Sequence, residues 1–145
     1  MAKTTEELKN ELKSIRTNER LTEWLDENKG DNIRFCDYLN EVCDKNGIRL
    51  SSLEGKVALS KAYIYALANG TKNPAKEAVI KIALGINATV EETNQLLKLS
   101  GNKELYPKKE EDAVIEFGIQ QHLTVYEIEE LLKSRGLAMR LTDER

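Results

Sequence analysis

Apolar residues recur at three- and four-residue spacing along the chain, and each such stretch has a capping residue before it or a glycine after it. Leu8, Leu12 and Ile15 form one stripe, with Thr4 or Thr5 placed to cap the helix that carries them. Leu21, Trp24 and Leu25 fall on the opposite side if that helix continues. The pattern therefore predicts a break near Thr17-Asn18 and a second short helix to Asn28. Lys29-Gly30-Asp31 reads as a linker. Phe35, Leu39, Val42 and Cys43 make the inner face of a helix over 32–46, capped by Asp31 or Asn32 and ended by Gly47.

The stretch Leu50–Pro74 organises the rest of the chain. Ser51 is spaced to cap a short helix, with Glu54 three residues on to close a capping box. Ser60 is a second cap, and Lys61 to Asn69 make one short helix stopped by Gly70. Leu53, Val57, Ile64 and Leu67 are the apolar positions that would lock the two together. Pro74 restarts the chain at the first turn of a helix over 75–84, whose Val79, Ile82 and Ala83 are apolar. Two short helices joined by a tight turn have the geometry of a helix-turn-helix, whose second helix can enter a DNA major groove. Thr89 with Glu92 opens the next helix and Gly101 ends it, which predicts five helices between residues 31 and 101.

Asn102 to Pro107 connect to a last pair. Lys108 to His122 reads as a helix with Val114, Phe117, Gly118 and Gln121 on one face; Thr124 and Glu127 cap the next, and Gly136 stops it. The tail from Leu137 is expected to fray or to dock weakly through Leu137 and Leu141. Residues 78–101 align without a gap on 113–136, a shift of 35 with ten of 24 positions identical, among them Thr89/Thr124, Glu92/Glu127 and Gly101/Gly136. Cap, leucine pair and glycine stop are shared helix grammar, so the alignment predicts two similar hairpins without requiring common descent. One hairpin cannot bury its apolar face alone and should stack on the body or on a second subunit. The expected fold is all-α: an N-terminal helical arm (1–30), a helix-turn-helix domain (31–101), and a C-terminal helical hairpin and tail (102–145).

Composition agrees with a folded helical protein. The 145 residues are 40% hydrophobic and 32% charged with two prolines, which argues against disorder. No apolar run reaches ten residues, so neither a membrane span nor a secretory signal is expected, and the expected location is cytoplasmic. Cys36 and Cys43 lie seven apart on one helix, about 10 Å along its axis, too far to bridge; both read as small buried hydrophobes. His122 stands alone, and no Cys/His cluster has metal-ligand spacing, so no metal and no cofactor are expected. No glycine-rich phosphate loop or nucleophile–base pair is present, and an enzyme is not expected. Glu91-Glu92 and Glu129-Glu130 read as solvated helix surface and as partners of the helix N-terminal dipole.

Charge sharpens the picture when it is divided. The net charge is −3, yet Lys45 to Lys81 holds seven basic residues against Glu54 and Glu77. From Tyr106 onward six basic residues face nine acidic ones. A basic segment on an acidic protein is what a DNA-binding face requires.

Ser60-Lys61-Ala62-Tyr63-Ile64, followed by Asn69-Gly70-Thr71-Lys72-Asn73-Pro74, resembles the capped recognition helix and exit loop of the Cro/phage-repressor-like (XRE-type) helix-turn-helix family. Glu92-Thr93, Leu96-Leu97, Leu105-Tyr106-Pro107 and Asp112-Ala113-Val114 are similar to a Gram-positive bacterial or phage subgroup with a C-terminal extension. The resemblance implies a five-helix lambda-repressor-like domain that binds double-stranded DNA as a homodimer and regulates transcription. It places Lys61, Ala62, Tyr65 and Ala66 on the groove-facing side, with Thr71, Lys72, Asn73, Lys56 and Ser60 near the backbone. Tyr63 reads as packing beside the helix. Glu54 stands where the family carries a small buried residue, and Ala58 stands for its turn glycine. The face lacks Gln, Asn or Arg forks, so base readout should be modest and phosphate contacts should carry more. The competing expectation is a protein-interaction module that keeps the fold, using the arm or the hairpin to hold a partner.

Overall fold

A computed structural model describes residues 4–27 and 33–142, with the side chains of 24–27 left out. Eight α-helices and no strand occur among the described residues: α1 (Thr5–Ser14), α2 (Asn18–Glu27), α3 (Phe35–Asn46), α4 (Lys61–Ala68), α5 (Lys76–Gly85), α6 (Val90–Leu99), α7 (Glu110–Gln120) and α8 (Val125–Ser134). None of these helices is long and apolar enough to cross a membrane. The chain divides into two compact units, Met1–Ile33 and Arg34–Arg145.

The first unit holds α1 and α2. Thr4 caps α1 by accepting from Glu7 N at 3.1 Å, and the chain breaks at Ile15, close to the expected point. Thr17 then accepts from Arg20 N at 3.2 Å and starts α2. No residue of α1 is buried, and Leu12 is 45% exposed. The docking of Trp24 and the linker Lys29-Gly30-Asp31 lie outside the described residues, as do Asp31 and Asn32.

The second unit has one hydrophobic core, extending from Phe35 to Leu141. Helix α3 starts at Phe35 with Arg34 in the cap position and no side-chain cap, three residues later than the pattern predicts. Helix α5 is the centre: Ala78, Val79, Ile80, Ile82 and Ala83 are all buried, more than one stripe can hold. Helices α6, α7 and α8 pack around it, and α3 packs on α4 and α6. Asn40 Nδ2 donates to Ala68 O at 3.1 Å and Asn46 Nδ2 to Ile86 O at 2.8 Å, tying α3 to the ends of α4 and α5.

Between residues 34 and 101 there are four α-helices, not five. The segment expected as the first helix of the pair is a single 3-10 turn, Leu50–Leu53, and Ser51 forms no capping box. Gly55 is the reason. Glu54 (φ −54°, ψ 126°) and Gly55 (φ +78°) make a type II turn closed by Lys56 N donating to Leu53 O at 2.9 Å, and this ends the helix before a second turn. Glu54 consequently faces solvent rather than the core. Ala58 takes the left-handed conformation (φ +58°) that glycine adopts freely, at a cost of roughly 1–2 kcal/mol.

The two hairpins match in hydrogen-bond detail. Thr89/Glu92 and Thr124/Glu127 both form complete capping boxes. Asn87 and His122, 35 apart, both adopt positive φ just past a helix, and Ala88 N and Leu123 N return to Ala83 O and Gly118 O at 3.0 and 2.9 Å. Each chain segment trailing a hairpin is held by a polar side chain at the same helical position. Asn94 Oδ1 accepts from Leu105 N at 2.9 Å, and Glu129 Oε1 accepts from Leu141 N and Thr142 N at 2.7 and 2.8 Å. The tail therefore docks firmly, with Leu141 buried and Met139 N donating to Glu111 at 2.7 Å. Glu92 and Glu129 are buried, which corrects the reading of both acidic pairs as solvated surface.

Candidate nucleic-acid interface

Helix α4 is eight residues long and is capped by Ser60, whose hydroxyl accepts from Tyr63 N at 3.1 Å. Ile64 and Leu67 are buried against α3 and the 3-10 turn, so the face that remains is Lys61, Ala62 and Tyr65, with Ala66 at its edge. That is the set expected on the groove side. Tyr65 is 43% exposed, and the Lys61 ammonium lies 5.9 Å from its ring centroid, a cation–π arrangement. Lys61 and Tyr65 thus form one joint feature rather than two separate contacts. Tyr63 is half-buried against the core, and burial pushes its phenol pKa upward, in keeping with packing rather than reading.

The loop after α4 is built from its own polar groups. Asn69 Oδ1 accepts from Thr71 N at 3.0 Å and from the Thr71 hydroxyl, and Lys72 N donates to Ala66 O at 3.2 Å. Asn73 Nδ2 donates to Ser100 O at 2.8 Å, which pins the loop to the end of α6. Of the three loop residues expected at the DNA backbone, Thr71 and Asn73 thus have groups engaged inside the fold. The Lys72 ammonium alone has no partner among the described residues. Lys56 lies elsewhere, beside a cleft shared with Asn87, His122 and Thr124.

The basic segment is smaller than its sequence suggests. Lys45 pairs with Glu92 at 3.1 Å, Lys76 with Asp112 at 2.6 Å, and Lys81 donates to Ala58 O at 3.4 Å. Arg49, Lys56, Lys61 and Lys72 form no ion pair among the described residues. The sequence gives no hint that Arg34 joins them: its guanidinium sits over Gly70, where a Cβ would collide with Nη2. Arg34, Gly70, Lys72 and Asn73 line a cleft of about 220 Å³ floored by Phe35, Cys36 and Leu99.

Three other features have structural accounts. Cys36 and Cys43 are buried and free, and burial, helped by Asp44, pushes the Cys43 thiol up to about 11. His122 terminates α7 in a left-handed conformation. Among the described residues no group of three His, Cys, Asp or Glu side chains is placed to hold a metal ion. Comparison with protein-family models, with curated proteins and with solved structures finds no match to this chain.

Proposed function

We propose that this protein is a DNA-binding transcriptional regulator, a repressor in its simplest form, that lays α4 in the major groove of double-stranded DNA. The observation that carries the reading is the division of α4 into a buried side, Ile64 and Leu67, and a bare side, Lys61, Ala62 and Tyr65. A short capped helix with a basic, aromatic and methyl-bearing outer face suits phosphate and thymine-methyl contact. The engagement of Lys61 with Tyr65 argues for weak base discrimination and for affinity drawn from the backbone. In this reading two copies place their α4 helices about 34 Å apart in successive grooves.

Fluorescence anisotropy with a labelled mixed-sequence duplex tests the reading. Binding should appear at low salt and weaken steeply as salt rises, and Lys61→Ala should lower affinity. No binding at low salt overturns it.

A second reading is favoured by one observation. Phe117 is 50% exposed between two clefts, of about 360 and 550 Å³, to which Val114, Leu123 and Leu131 contribute apolar walls. A protein-interaction module would use that ridge and leave α4 idle. Under it Phe117→Ser abolishes a complex while Lys61→Ala leaves activity intact.

A further inference from the structure

We propose that Arg34 and Lys72 form a two-cation clamp for one phosphodiester of the duplex backbone, at the C-terminal end of α4. This assignment rests on the DNA-binding reading and adds to it a residue outside the helix-turn-helix segment. Both cations line the same 220 Å³ cleft, and no carboxylate lines it. Neither has an ion-pair partner among the described residues. The guanidinium lies over Gly70, where a Cβ would collide with Nη2, and Gly70 itself is held at φ +83°. The negative end of the α4 dipole helps to draw a guanidinium here. Against the two full cations stand about half a charge from that dipole and the carboxylate of Asp37, whose Oδ1 lies 4.0 Å from the Sγ of the cleft-lining Cys36, so a net positive site remains. A planar guanidinium binds phosphate through two parallel N–H bonds, with the ammonium acting as a point charge beside it. The Asn73 amide nitrogen, bound to Ser100 O, holds the cleft wall rather than the anion.

The test uses the full chain and a labelled mixed-sequence duplex, with affinity followed from about 50 to 200 mM salt. The double variant Arg34→Ala/Lys72→Ala should reduce the slope of log K against log salt by about 0.9, the value of one phosphate contact, while each single alanine variant loses only part of that and Arg34→Lys retains it. Lys108→Ala, on the connection to α7, is the control and should leave the slope unchanged. Binding by the parent with an unaltered slope in the double alanine variant overturns the clamp and leaves the DNA reading standing. No binding by the parent overturns both. Inorganic phosphate is the second arm: saturable shifts of the Gly70 and Lys72 amides at low phosphate, with unaltered duplex slopes, would assign the cleft to a free anion and overturn the duplex contact.

Discussion

At the residue scale, three buried carboxylates, Glu92, Asp112 and Glu129, accept backbone N–H bonds. Glu92 shows how opposing effects resolve. Burial alone would raise its pKa, but the Thr89 N–H at 2.9 Å and the Lys45 ammonium at 3.1 Å outweigh it and hold the carboxyl below its ordinary value. A folded-state pKa lowered in this way stabilises the protein above the unfolded value near 4.5. That stability is lost as pH falls below 4.5 and through the depressed folded value. Urea midpoints should therefore drop on acidification over that range, and Glu92→Gln should flatten the drop. The same variant should cost about 1 kcal/mol at neutral pH by weakening the cap of α6. Lys45 is largely exposed, so Lys45→Ala should cost less than about 1 kcal/mol. If Glu92→Gln follows the parent's acid profile, Glu92 is not the group that titrates.

At the scale of elements, the α7–α8 hairpin closes on a glycine. A Cβ at Gly118 would collide with Ile128 Cδ1 and lie 2.5 Å from its Cγ1, and Ile128 is fully buried. Alanine gains up to about 1 kcal/mol in helix propensity there, but overpacking costs typically about 1–3 kcal/mol. Gly118→Ala should thus lower the melting temperature, and Ile128→Val should restore part of the loss in the double variant, a coupling that a cycle measures. Independent, additive effects would show that the helices part without strain. Much of this level was legible in sequence, because caps and glycine stops are local chemistry: Thr4, Ser60, Thr89 and Thr124 all cap where their spacing says. The exceptions have two causes, a non-local partner and a turn residue that outweighs the pattern. Ser51-x-x-Glu54 has the capping-box pattern, but Gly55 ends the turn before it can be used. Glu129 has the pattern of a surface residue, and only the returning Leu141–Thr142 backbone shows what it is for. Arg34 was invisible because nothing local says that it will lie over Gly70, 36 positions away. For the candidate site, the buried side of α4 was legible from its period and the outer set only through the family resemblance, whereas the internal pairing of Lys45, Lys76 and Lys81 was not legible.

At the scale of the whole molecule, the single core of the second unit sets what can be cut away. Ile115, Ile119, Val125, Ile128 and Leu132 belong to the same cluster as Leu39, Ile64 and Ile82, and α7 and α8 both pack on α5. Each such side chain contributes roughly 1.5–3 kcal/mol when fully buried. Five of them are comparable with the entire stability of a small domain, about 5–15 kcal/mol. Removing the hairpin also strips Asp112 from Lys76. A fragment of residues 34–101 retains the candidate interface in sequence, but it should lack cooperative thermal unfolding and amide protection. A fragment of 34–142 keeps the core and the docked Leu141, and should unfold in one transition. DNA binding should follow folding rather than the presence of α4, so only the longer fragment should retain it. A cooperative 34–101 fragment would mean that the helices around α4 form a separate stable body and that the hairpin is an accessory to it.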